Sequence, residues 1–232
     1  MFRALPTAAL SALILAAAPG QAATRSFPVP GFGRISSSTP FDVRVHTGEE
    51  PSVRASGPQR ALDRLRVEVR GGELVIGMER GNWRSWSFGR GERAVIDVTV
   101  PALSAARLNG PGDLTVDRVA GRDFAGALNG PGNLSLQQIE VGVLTLDLNG
   151  PGDIVAIGRA GRARISASGP GDVDGGRLTS SDLIVNLIGP GNVTTNARRT
   201  ANVRLVGPGD VRIRGGAKCT IQKVGPGDVT CG

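Results

Sequence analysis

The chain has 232 residues, including 35 glycines, with aromatics at 3% and no tyrosine. That length allows a continuous core, but the scarcity of rings excludes an interior built on large aromatic side chains and points to thin layers of Leu, Val, Ile and Ala. The formal net charge of +7 comes almost wholly from arginine, the only lysines being Lys218 and Lys223, and no basic stripe is interleaved with aromatics, so nucleic acid is not an expected partner.

Arg3, the apolar residues 8–18 and the small residues Gly20-Gln21-Ala22-Ala23 read as a secretory signal peptide over residues 1–23. The apolar run is short for a bilayer span, and no later stretch reaches spanning length. The mature chain, from about residue 23 or 24, is expected in the periplasm, secreted or at the cell surface, with no transmembrane segment.

Residues 24–102 read as a β-rich cap. Phe41-Asp42-Val43-Arg44-Val45-His46 alternates apolar and polar, which places His46, the only histidine, on the solvent side. Residues 58–64 suggest a short helix, 65–70 and 73–78 flank Gly71-Gly72 as a hairpin, and 94–100 form a strand leading into the first coil. Between them, Trp83, Arg84, Trp86 and Arg90 gather both tryptophans with cations in a Gly-flanked loop. Aromatic faces stack on sugars and pair with cations, so these four are the candidate ligand contacts. The alternative is a loop that seals the cap.

From residue 103 to 232 one motif recurs seven times. Gly-Pro-Gly followed by Asp or Asn begins at Gly110, Gly130, Gly150, Gly169, Gly189, Gly207 and Gly225. Pro in second place and Gly in third suit a type II turn, with positive φ expected at that third residue. On both sides of each corner apolar residues alternate with polar or small ones. After the corner, for example, Leu114, Leu134, Ile154, Val173, Val193, Val211 and Val229 fall at one position. Stacking such units at the strand spacing gives an all-β, single-stranded parallel β-helix of about seven coils. No six-residue subrepeat is visible, which favours a right-handed winding over the left-handed hexapeptide form.

Several columns of the repeat are candidates for chemistry. Asp113, Asp153 and Asp172 belong to the Asp/Asn corner column, where carboxylates on successive coils suggest shared Ca²⁺, while the simpler reading is that they cap backbone N–H groups. Asn109, Asn129 and Asn149 precede the corner and suggest a ladder of amides. Cys219 and Cys231, six residues on either side of Gly225, are expected to form a disulfide across the last coil of an exported chain.

Phe41-Asp42-Val43-Arg44-Val45, Ser52-Val53-Arg54-Ala55-Ser56-Gly57, Gly72-Glu73-Leu74-Val75-Ile76, Val98-Thr99-Val100-Pro101-Ala102-Leu103 and Leu108-Asn109-Gly110-Pro111-Gly112-Asp113, in that order, resemble the putative auto-transporter adhesin, head GIN domain family. The likeness runs over about residues 31–232. The family commonly uses a Gly-Ser-Gly-Asp corner, and Pro stands in its middle place here. The resemblance implies an exported β-solenoid with an adhesive role and brings no catalytic residues and no cofactor. The expected function is thus a non-enzymatic binding or structural module of the cell envelope. Its expected partner is a glycan, lipopolysaccharide included, or an envelope or surface protein. The rival is a β-helix enzyme acting on anionic polysaccharide, since carboxylate pairs are plentiful; one histidine cannot supply a multi-His metal site or a His-dependent triad.

Overall fold

The computed structural model describes residues 23–48, 50–79 and 93–232; the expected signal peptide, apart from its last residue Ala23, lies outside them. The repeat region is a parallel β-solenoid. β8 (Ala105–Leu108) and β9 (Leu114–Val116) flank the first corner. β10 (Val119–Asn129), β11 (Leu134–Asn149), β12 (Ile154–Ser168), β13 (Val173–Ile188) and β14 (Val193–Val206) each lead into the next. β15 (Val211–Arg214), β16 (Lys218–Val224) and β17 (Val229–Cys231) finish the stack. The seven corners bound about six complete turns.

Like residues sit over like. Leu114, Leu134, Ile154, Val173, Val193, Val211 and Val229 pair in sequence from turn to turn, and all but Val229 are buried. On the other side of the corner Leu128, Leu148, Ala167, Leu187 and Leu205 form a second buried ladder that ends in Lys223. Each rung buries apolar surface against two neighbours while the backbone hydrogen bonds run along the axis, so thin layers suffice for a core.

Each turn also has a third inward stretch that the two-sided reading missed. In β11 the alternation slips at Gln137-Gln138, two successive exposed residues, and resumes with Ile139 and Val141 buried. It slips again at Gly142-Val143 before Leu144, Leu146 and Leu148 turn inward. Ala160, Ser180 and Ala197 follow Val141 in register and are buried, and Leu178 follows Ile139 by way of Gly158.

The corner departs from a type II turn. From the second corner onward positive φ falls on the first glycine, as at Gly150 (126°) and Gly169 (115°), and not on the third residue. The third residue is glycine for a different reason. A Cβ on Gly152 would run into the carbonyl oxygen of Gly132 one turn below, and Gly132, Gly171, Gly191 and Gly209 repeat this relation. The amide of Gly152 donates to the carbonyl of Gly130 at 3.1 Å, so the corner is tied to the preceding turn instead of across itself.

The N-terminal segment is threaded into the same stack. β1 (Ala23–Phe27), β2 (Arg34–Ser37), β3 (Asp42–Thr47), β4 (Ser52–Gly57), α1 (Gln59–Asp63), β5 (Leu65–Arg70), β6 (Glu73–Met78) and β7 (Val95–Val100) come in that order. The hairpin, short helix and strands fall where the sequence suggests. β7, however, does not lead into the first repeat by pairing with it. β3 lies between β7 and β9, and β2 between β6 and β8, all parallel. Residues 34–47 thus form a rung whose corner is Ser38-Thr39-Pro40-Phe41, with Thr39 O accepting from the amide of Gly112 at 3.2 Å. Beyond this rung the sheet turns antiparallel, β4 against β7, β1 against β4, and β5 against β6. α1 joins β4 to β5 and buries Ala61 and Leu62 at this end, where Arg25 Nη1 donates to Leu62 O at 3.1 Å.

Candidate binding faces

A solenoid builds its outer faces as it builds its core, by placing one residue type over another at each rung. Just before the corner, Asn129 Nδ2 donates to Asn109 Oδ1 at 2.9 Å and Asn149 Nδ2 to Asn129 Oδ1 at 3.1 Å, a ladder of amides on the outside. Beside it a shallow groove of about 340 Å³ runs over β10 to β13. Its polar lining includes Asn129, Asp147, Asn149, Ser166 and Asn186, and apolar side chains, Ile188 at the last rung among them, complete it.

The Asp/Asn column is a hydrogen-bonding ladder. Asp113 Oδ1 accepts from the amide of Asn133 at 3.0 Å, Asp153 Oδ1 from that of Asp172 at 2.9 Å, and Asp172 Oδ1 from that of Asn192 at 2.7 Å. Asn133 separates Asp113 from Asp153 in the stack. Among the described residues no three His, Cys, Asp or Glu side chains converge as metal ligands would.

His46 faces solvent as expected, its side chain 57% exposed. Its Nδ1 lies 3.2 Å from Asp117 Oδ2, while Asp117 Oδ1 accepts from the Thr47 amide at 3.0 Å and hydroxyl at 3.2 Å. No local pattern signals this pair, because 71 residues separate its members. His46 belongs to an open cleft of about 750 Å³ that also takes in Ser52, Arg54, Asp97 and Thr99. Among the described residues no hydroxyl or thiol hydrogen-bonds the imidazole, so no activated nucleophile is assembled there.

Among the described residues Asp182 is the one carboxylate with a marked shift. Hydrogen bonds from the Arg199 guanidinium and then from the Thr200 hydroxyl hold its carboxyl below the usual range. These groups clip β13 to β14. Trp83, Arg84, Trp86 and Arg90 lie outside the described residues. Cys219 and Cys231 are joined in a disulfide that links β16 to β17. No helix among the described residues is long and apolar enough to cross a membrane.

No curated protein matches the chain in sequence. Among solved structures it is similar to a Bacteroides fragilis protein named a putative adhesin, with TM-score 0.78 and 19% identity over 92% of this chain and 98% of that one. A Parabacteroides distasonis protein named a putative lipid binding protein gives TM-score 0.72 and 19% identity over 92% and 97% of the two chains. A Parabacteroides merdae protein named a putative adhesin gives 0.64 and 12% over the same shares. At such identities the likeness establishes the fold. The family model covers residues 31–217, and the chain belongs to the putative auto-transporter adhesin, head GIN domain family.

Proposed function

We propose that the protein is an exported, non-enzymatic binding module of the cell envelope, adhesin-like, that takes an extended glycan. The observation that carries this reading is the groove over β10 to β13, where amide and hydroxyl side chains recur once per rung along the solenoid axis. A row of donors and acceptors at strand spacing, about 4.8 Å, suits a polymer that offers polar groups at regular intervals. It does not suit a reaction, which needs groups converging on one bond. The family's adhesin description and the disulfide, a bond kept in oxidising compartments, support the same reading. Trp83 and Trp86, with Arg84 and Arg90, add stacking and cationic contacts.

Glycan-array binding of the mature protein tests this. Changing Trp83→Ala together with Trp86→Ala is expected to weaken the strongest glycan signal by roughly tenfold or more. Release of reducing ends from anionic polysaccharide by the purified protein would instead establish the enzyme. No signal on any glycan would leave a protein partner or a structural role in the envelope.

A further inference from the structure

The outer column before the corner changes chemistry once along the stack. Before the first four corners it holds Asn109, Asn129, Asn149 and Ser168; before the last three it holds Ile188, Val206 and Val224, in register. Ile188 is 55% and Val224 67% exposed, and with Ile221 they are the exposed large hydrophobics among the described residues. Pro190, Pro208 and Pro226, all exposed, extend this apolar crest around the corners.

Charge changes over the same turns. Residues 193–232 hold seven Lys and Arg against Asp210 and Asp228, a net +5 of the whole chain's +7. Arg204 faces out from β14 two residues before Val206, where the column starts with Arg107 beside Asn109 and then carries Ala127, Asp147, Ser166 and Asn186. Arg212 and Arg214 face out from β15 on the other slope. Asp210 and Asp228 stand in the corners between the slopes, each in the hydrogen-bonded column, and Lys223 Nζ lies 3.7 Å from Asp228.

An apolar crest with cations on both slopes matches a surface that is itself layered, with phosphates outside an acyl boundary. A soluble polyanion would leave the crest unused, and a second copy would bring its own Arg204, Arg212 and Arg214 against these. We propose that the C-terminal turns dock on an anionic lipid bilayer. Ile188, Val206 and Val224 enter the headgroup boundary, and Arg204, Arg212 and Arg214 meet lipid phosphates. The proposal does not rest on the glycan reading, although Ile188 also lines the last rung of that groove.

Flotation with vesicles tests it. The mature protein should float with vesicles of equal parts phosphatidylcholine and phosphatidylglycerol and not with phosphatidylcholine alone. Arg204→Gln, Arg212→Gln and Arg214→Gln together should lower the partition coefficient roughly a hundredfold, at about fivefold per cation. Ile188→Asn with Val224→Asn changes exposed positions and should lower it by roughly tenfold. The Trp83→Ala and Trp86→Ala variant should float like the parent. Failure of the unaltered protein to float overturns the proposal without reference to any variant. Retention on dextran sulfate together with unchanged flotation of the Ile188/Val224 variant would also overturn it and would assign the end to soluble polyanions. Self-association at the same concentration, abolished by that variant, would assign the crest to a second copy.

Discussion

At the scale of single residues, two glycines that look alike in sequence are held by different constraints. Gly48 adopts φ 119° in open space, whereas Gly152 has no positive φ but lies against the backbone of Gly132. Gly48→Ala meets only the torsional penalty, about 1–2 kcal/mol. Gly152→Ala must push one rung from the next at a place where both sides are backbone, and is expected to cost about 3 kcal/mol or more. Chemical denaturation of the two variants decides between them. Equal losses would mean that torsion and not close approach selects glycine at the corner. The sequence showed that glycine recurs there and led to a turn-type explanation. It could not show a neighbour 20 residues away, which is where the constraint lies. The Asp/Asn column was legible for a related reason: Asn and Asp alternate there without pattern, as a shared acceptor role for the next amide permits.

At the scale of elements, the strands beside each corner were legible because the Gly-Pro-Gly motif supplies a frame from which inward positions can be counted. The middle stretch was not. Its inward residues, such as Ile139 and Val141 or Ala160, come after phase slips that vary from turn to turn, and the register shifts between Leu136 and Ile139 and between Val155 and Ile157 record this variation. The last turn shows what an element loses when it has a neighbour on one side only. β16 has Ile221 and Lys223 in solvent at positions that are buried in β14. Lys223 ends the leucine ladder with a charge, which discourages a further strand from pairing there. The Cys219–Cys231 bond closes β16 onto β17 across a separation of 12 residues. Closing a loop of that size removes about 3 kcal/mol of chain entropy from the open state. Replacing both cysteines by serine should therefore raise hydrogen exchange in residues 218–231 and leave residues 134–206 as protected as before. Loss of protection along the whole solenoid would mean that the last turn does not open by itself.

At the scale of the molecule, the parallel stack was legible because a repeat reports its own architecture, and the place of residues 34–47 was not, because nothing local says that an early segment will be inserted between later ones. β2 and β3 carry no Gly-Pro-Gly, and their corner is built by Ser38-Thr39-Pro40-Phe41 with Thr39 buried. The consequence is a molecule with two kinds of cooperativity. The cap needs residues 34–47, 73–78, 95–100 and 105–116 together, whereas each later turn contacts chiefly the turns on either side of it. If turns are nearly independent units, a whole one can be taken out. Deleting residues 154–172 joins Asp153 to Val173, which already occupies the column of Ile154 and Leu134, so β13 can pair with β11 in the same register. Such a chain is expected to fold and to lose roughly a sixth of its unfolding free energy, one turn in six. Deleting residues 154–163 removes half a turn, carries the next corner to the wrong side, and sets polar positions against the core. That chain is expected not to fold. Circular dichroism and urea unfolding compare the two directly. If the whole-turn deletion collapses as completely as the half-turn one, the turns are not interchangeable and the stack is held by something other than its columns of like residues.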